Sequence, residues 1–185
     1  MSLEDAPIEV MHIGSPIIRS LAQRIGSIAM GAHVCKLLTK KLDELQGAGL
    51  AAPQIGLPYR IFIAEVRKTD MFPDREETPL YTMINPEFEF LSTEELIDYE
   101  GCFSVPGFVG LVPRFKKLRA SWTEPDGTQK EEIFEDYIAR VLQHEMDHLN
   151  GLVYLDRMPD MSTLSTRENY MKSRQQTLFE EGGEE

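Results

Sequence analysis

Two histidines, His144 and His148, stand four residues apart in the stretch QHEMDHLNG, and a carboxylate, Glu145, directly follows the first. On a helix, residues at i and i+4 share a face, so both imidazoles can meet one metal ion. Glu145 lies about 100° around the same helix. From there a carboxylate reaches a water at the ion without ligating it, which is where a general base must stand. Asp147 is a candidate either to orient a ligand from behind or to cap local structure. The chemistry indicated is metal-assisted hydrolysis. The pattern also arises by chance in ordinary helices. Two His and a Glu along an apolar stripe are nevertheless costly to bury unless they act.

The third ligand decides what kind of site this is. HExxH peptidases take it from downstream, but no His follows His148, and the downstream Glu residues are Glu168 and those of the terminal tail. Upstream stand His12, His33, Cys35 and Cys102. Cys35 falls among apolar neighbours and reads as a buried structural thiol; the two upstream His read as surface or packing residues. Cys102 lies in EGCFSVPG, between a predicted strand and a Pro/Gly turn, where a thiolate can be aimed at a site. One Cys and two His leave a fourth position for water, as an open catalytic site needs, and a thiolate suits both Zn²⁺ and Fe²⁺. On residues alone, a zinc endopeptidase with a downstream ligand and an open site completed by Cys102 both stand.

The helix that must present the motif is predicted from about Glu135 to Asn150. Ile138, Val141, Leu142, Glu145, His148, Leu149 and Leu152 fall near one stripe. Asp136 is its expected N-cap and Gly151 its expected C′ residue. A second amphipathic helix is predicted over 32–46, with Val34, Leu37, Leu38, Leu42 and Leu45 inward and Gly47 as the stop. GAGLAAPQIGLP reads as loop and RIFIAEV as a strand. KTDMFPDREETP reads as an exposed loop. Strands are predicted around 80–84 and 87–91, with 95–99 extending the sheet. Two more are predicted over 115–124 and 128–134, joined by a turn at Asp126-Gly127. After Asp160 a weak helix is expected.

The 185 residues, 42% hydrophobic, suffice for one domain spanning 1–185 with a sizeable core, ending in an acidic disordered tail from about 175. A net charge of −12 repels phosphate backbones, which argues against direct nucleic-acid binding. No apolar run approaches a membrane span. The acidic start, MSLEDAPIEV, lacks the features of a secretory signal. Two cysteines make no disulfide framework and fit a reducing compartment.

Three separated segments, GAGLAAPQ (47–54), EGCFS (100–104) and QHEMDH (143–148), together resemble peptide deformylase. Comparable similarity runs from about Ile8 to Leu155. The resemblance implies an α+β fold, with antiparallel β-sheets packed around a central helix carrying HEMDH. It implies removal of the N-formyl group from nascent peptides beginning with formyl-methionine, releasing formate. By the family pattern, Cys102, His144 and His148 bind Fe²⁺, with Zn²⁺, Ni²⁺ or Co²⁺ as substitutes. Water at the metal attacks the formyl carbon with Glu145 as general base, then acid. The Gln54 amide and the backbone N–H of Phe103 stabilise the oxyanion.

Gly47, Gly49 and Leu50 are candidate substrate contacts by edge pairing. Val141 and Tyr137 are candidate walls of the methionine pocket. Glu100, beside the Cys ligand, is a further candidate on the substrate side or an ion-pair partner of Arg114. Two departures stand out: Phe103 where many members have Leu, and VPGFVG where many bacterial members have a charged stretch. The partners implied are formyl-methionyl nascent chains, with transient ribosome proximity. The basic C-terminal helix by which some relatives dock on the ribosome has no counterpart in EEGGEE. The bacterial cytoplasm is the expected location, or an organelle if a transit segment has been removed.

Overall fold

A computed structural model describes residues 8–69 and 75–181. Among the described residues there are three α-helices and eight strands, and the strands form two antiparallel sheets. The first sheet has the order β1-β2-β3-β6-β7, where β1 is Gly49–Ala51, β2 Ile61–Ala64, β3 Tyr81–Phe90, β6 Lys117–Thr123 and β7 Gln129–Glu135. Helices α1 (Ile28–Leu45) and α2 (Asp136–Leu149) cover its two faces. The period of two in β2 divides its side chains between them. Ile61 and Ile63 join Val34, Leu38, Leu42 and Leu50 on the α1 side. Phe62 and Ala64 join Ala51, Val141, Leu142 and Leu149 on the α2 side. The fold is the expected α+β arrangement, with the HEMDH helix central.

Several element boundaries differ from the sequence reading. Helix α1 starts four residues earlier than predicted because Ser27 caps it, accepting from the Met30 N–H at 3.3 Å. Its last helical residue is Leu45, and the C-cap Gln46, with φ of 54°, rather than Gly47, takes the left-handed conformation. The expected loop over GAGLAAPQ contains β1, followed by a 3-10 turn, Ala52–Ile55. The two strands expected over 80–91 are one, β3, with its register shifted between Ile84 and Glu87. Asn85 and Pro86 sit at that bulge, where a strand tolerates proline. Residues 70–74 of the expected KTDMFPDREETP loop lie outside the described residues.

The second sheet has the order β4-β5-β8, with β4 Glu95–Cys102, β5 Val105–Phe115 and β8 Ser165–Thr166. The 95–99 segment therefore belongs to a separate sheet, and VPGFVGLVPRF, read as turn and departure, is a strand. Its prolines and glycines conceal it from propensity. Pairing of Cys102 with Val105 leaves Phe103 and Ser104 as a two-residue hairpin tip. Helix α3 runs Arg167–Glu181, so the segment from about 175, expected to be disordered, is helical as far as 181. Residues 182–185 lie outside the described residues.

Helix α2 is preceded by Glu135 as N-cap rather than Asp136. Gly151 follows its C-cap with φ +73°, the left-handed geometry expected of C′. A Cβ there would lie 2.8 Å from the Arg19 carbonyl oxygen. Gly151→Ala therefore meets both an unfavourable φ and fixed backbone. We expect a loss of about 2–3 kcal/mol, read as a drop of roughly 5–10 °C in the thermal midpoint. An unchanged midpoint would show that this helix end is not locked against Arg19.

Candidate metal centre and active site

Helix α2 carries His144 and His148 one turn apart, and the β4–β5 hairpin brings Cys102 to them across 42 residues of chain. Their ligand atoms all lie within 4.8 Å of one another, the one such group among the described residues. Cys102 Sγ is 3.2 Å from His148 Nε2. The His144 Nδ1 lies 2.9 Å from Glu100 Oε2, which leaves its Nε2 for the site. One sulfur and two imidazole nitrogens are the donors a borderline-soft divalent ion takes. Burial opposes the charged form of His144, but its bonds to Cys102 and Glu100 hold its pKa well above the ordinary value. Burial, with the charges of His144 and Arg114, keeps His148 well below it, neutral and able to ligate. The three residues fit a metal ion.

The remaining metal candidates from sequence lie elsewhere. His12 and His33 are exposed. Cys35 is in the α1 core, where burial pushes its thiol up to about 12. Glu168 is exposed and pairs with Lys172 on α3.

Behind the ligands runs a buried ionic network. Arg114 clasps Glu100 with two bonds of 2.9 Å and donates to Asp147 at 2.6 Å. Arg140 donates to Glu100 at 2.8 Å and to the Val112 carbonyl. Arg157 closes on Asp147 from outside. Burial alone would raise the Glu100 carboxyl, but the hydrogen bonds of His144 and Arg114 outweigh it and hold its pKa well below the usual carboxylate range. Glu100, expected on the substrate side, thus has both oxygens engaged behind His144. The pairing with Arg114 is the alternative that the geometry favours. Gln143 adds a clamp, accepting from Phe115 N–H and donating to Phe115 C=O, which ties α2 to the end of β5. The Tyr154 ring stacks against His144 at 6.5 Å. Sequence reasoning missed Arg140, Gln143, Arg157 and Tyr154. Arg140 and Gln143 lie off the apolar stripe of α2, and nothing local marks them as buried.

Glu145 is 3% exposed and lies against β1. A Cβ on Gly49 would come within 2.5 Å of Glu145 Oε1, so only glycine lets the carboxylate sit there. The other oxygen, Oε2, is buried with no hydrogen-bond partner. Burial pushes this carboxyl up to about 7; His144 and Arg114 oppose the rise, while Glu100 and Asp147 add to it. Gln54 is oriented by its own loop: Oε1 accepts from Ala51 N–H at 2.8 Å, which turns Nε2 toward Ser104 Oγ at 3.2 Å and Cys102 Sγ at 3.6 Å. Phe103 N–H sits at the hairpin tip beside Cys102. Gly47 lies against the Phe103 ring. The Leu50 side chain is in the α1-facing core and its backbone pairs with Ile63 of β2. Val141 is buried one turn before Glu145, and Tyr137 is half-buried with the Arg75 guanidinium 3.9 Å over its ring.

A Cys/His/His group able to hold a metal, next to a buried Glu with one unpartnered oxygen, suits a hydrolase, and a model of the polypeptide deformylase family matches residues 7–163. The chain belongs to the polypeptide deformylase family. Peptide deformylase 2 of Nostoc is 33% identical over 167 residues, which is 89% of this chain and 93% of that protein. Peptide deformylase 1 of Nitrosomonas europaea is 36% identical, over 82% of this chain and 88% of its own length. Among solved structures, a class I type b peptide deformylase from Acinetobacter baumannii with Met-Ala-Ser bound superposes with a TM-score of 0.79. It is 29% identical, and the match covers 83% of this chain and 99% of that one. The peptide deformylase of Thermotoga maritima gives 0.74 at 29% identity, over 84% and 99%. The reaction of this deformylase is metal-dependent removal of the N-formyl group from nascent polypeptides.

Proposed function

We propose that Cys102, His144 and His148 hold the deformylase metal, that Glu145 moves the protons, and that Gln54 and the Phe103 amide bind the developing oxyanion. The observation that carries this reading is the convergence of the three ligand atoms within 4.8 Å beside the unpartnered Glu145 Oε2. Fe²⁺ is the ion we assign, since a thiolate with two imidazoles suits it as well as Zn²⁺. Bound there, a divalent ion supplies a Lewis acid and lowers the pKa of water toward about 7.

The residues of the chain do the rest. A Glu145 carboxyl raised to about 7 is matched to taking a proton from water near neutral pH. Water adds to the formyl carbon, and charge gathers on its carbonyl oxygen. Gln54 Nε2, turned by the Ala51 bond, and Phe103 N–H donate to that oxygen; one such donor contributes about 3 kcal/mol. Glu145 then hands its proton to the amine nitrogen as the C–N bond breaks. Formate and a free α-amino group leave, with no covalent intermediate on the enzyme.

The peptide has an edge to pair with. β1 is the outer strand of its sheet. Glu65 N–H donates to Ala48 C=O, so by antiparallel alternation Ala48 and Leu50 face β2, while the peptide groups of Gly49 face outward. Gly49, lacking a side chain, allows an incoming strand to approach the Glu145 carboxylate. Val141 and Tyr137 are the walls we assign to the methionine side chain. Because the substrates are nascent chains, we place the reaction in the cytoplasm, transiently near the ribosome.

The test is anaerobic formate release from formyl-Met-Ala-Ser by protein loaded with Fe²⁺ or Ni²⁺. We expect stoichiometric formate and free Met-Ala-Ser. Folded, metal-loaded protein that releases neither would overturn this reading.

A further inference from the structure

The two oxyanion donors belong to different sheets. Gln54 lies in the turn that follows β1, at the edge of the first sheet, and Phe103 stands at the β4–β5 tip of the second. Residues 11–13 cross the seam between them. Met11 N–H donates to the Gln54 carbonyl at 2.7 Å, and Ile13 N–H donates to the Ser104 carbonyl at 2.8 Å. Gln54 and Ser104 are both buried. The direction of the Ile13 N–H is itself fixed by a tight turn over 12–15. Ser15 N–H donates to the His12 carbonyl at 3.0 Å, and Gly14 has φ +98°. A positive φ at the third position is that of a type II turn.

We propose that Met11 and Ile13 are positioning residues for the deformylation reaction, their backbone N–H groups strapping the Gln54 turn to the hairpin tip. The inference rests on the functional reading above. The Gln54 carboxamide already touches the tip, through Nε2 to Ser104 Oγ at 3.2 Å and to Cys102 Sγ at 3.6 Å. Nε2 carries two hydrogens, so whichever turns to a substrate oxygen leaves one of those partners. The bonds of Met11 and Ile13 are made by main-chain groups that take no part in the reaction. They persist when Nε2 turns, and they hold the gap between the two donors. A displacement of about 1 Å can cost up to a hundredfold in rate. The charge that the donors meet develops only in the transition state, so a slackened strap shows in kcat and not in substrate binding.

The test is Ile13→Pro, which deletes one N–H. Proline is favoured at the second position of a type II turn, so the turn accommodates it. The Ile13 side chain is 43% exposed, and Ile13→Ala controls for its loss while keeping the N–H. With Fe²⁺- or Ni²⁺-loaded protein and formyl-Met-Ala-Ser, Ile13→Pro should lower kcat by about ten- to thirtyfold. Its KM and metal content, and the kcat of Ile13→Ala, should stay within about twofold of wild type. In a Gln54→Ala background the proline should cost less than about threefold, because the donor it misplaces is gone. In the metal-free protein, the amide hydrogens of residues 102–105 should exchange faster in Ile13→Pro than in wild type, with those of α1 unchanged. If Ile13→Pro gives no cooperative thermal transition, Gly14→Ala carries the comparison. It strains the same turn at positive φ while its Cβ meets no atom within 4 Å, and it should lower kcat by about three- to fivefold. An unchanged kcat in the folded variant, unchanged exchange over 102–105, or a loss shared by Ile13→Ala overturns the proposal. So does a loss that tracks metal content, or one that is equal with and without Gln54. A wild type that releases no formate overturns the functional reading, and the inference with it.

Discussion

Glu145→Gln should retain its metal and lose formate release by about a thousandfold, the range expected when a positioned acid–base group is removed. Glutamine keeps the length and planar shape that fit against Gly49, so the neighbouring His ligands need not move. It cannot accept a proton from water or return one to the leaving nitrogen. Metal content and kcat of the purified variant are the two readouts. Retained turnover would remove Glu145 from the mechanism, whereas lost metal would make it a structural prop of the site.

The same variant carries a second, pH-dependent signature. In the metal-free protein the folded-state pKa of Glu145 is raised from 4.5 to about 7, mainly by burial. Between those values the folded state holds more protons than the unfolded one, so this group costs stability as pH rises from 4.5 to about 7. The cost is absent below that window and complete above it, on the order of 3 kcal/mol. Metal-free Glu145→Gln should therefore melt higher than metal-free wild type at pH 8, and the gap should close toward pH 4. A wild type equally stable to the variant across the range would mean that the buried carboxyl is not desolvated as its position implies.

What was legible in the sequence follows the range of the physics. The α2 helix was visible because its apolar stripe is long, and the His pair because i, i+4 spacing is local. From its own surroundings Cys102 was visible only as a candidate, since nothing within EGCFS measures its distance to a histidine 42 residues away; the family resemblance made it a ligand. The long-range parts were hidden. Strand β5 carries Pro106, Gly107, Gly110 and Pro113, residues that depress strand propensity, and it exists because β4 and β8 pair with it. Nothing in the sequence marks Arg140 as buried, and Arg114 and Asp147 were legible only as possible partners near the site, yet each of the three is about 5% exposed. Their burial is tolerable only because they meet one another around Glu100, and the partners come from two strands and a helix. Gly49 read as a loop glycine that lets backbone approach substrate. In the fold it also makes room for Glu145.

Cys102→Ala should abolish the metal site. Two imidazoles on one turn remain, but the donor that comes from a different element is gone. Affinity should fall by more than about a hundredfold, beyond the effect of losing a group that merely orients a ligand. Turnover at a fixed, low metal concentration should fall by about a thousandfold or more, because both the water and the carbonyl lose their Lewis acid. The hairpin itself should survive, since Cys102 contributes its backbone to the pairing with Val105. Thermal melting of the metal-free variant should therefore stay close to that of metal-free wild type, while the stabilisation on adding metal disappears. Cys35→Ala is the counter-experiment. That thiol is 3% exposed in the α1 core, so its loss should cost stability and leave stoichiometric metal and formate release in place. A Cys102→Ala protein that still binds one metal tightly would place the third ligand elsewhere. It would return the site to the downstream-ligand arrangement that His144 and His148 alone also allow.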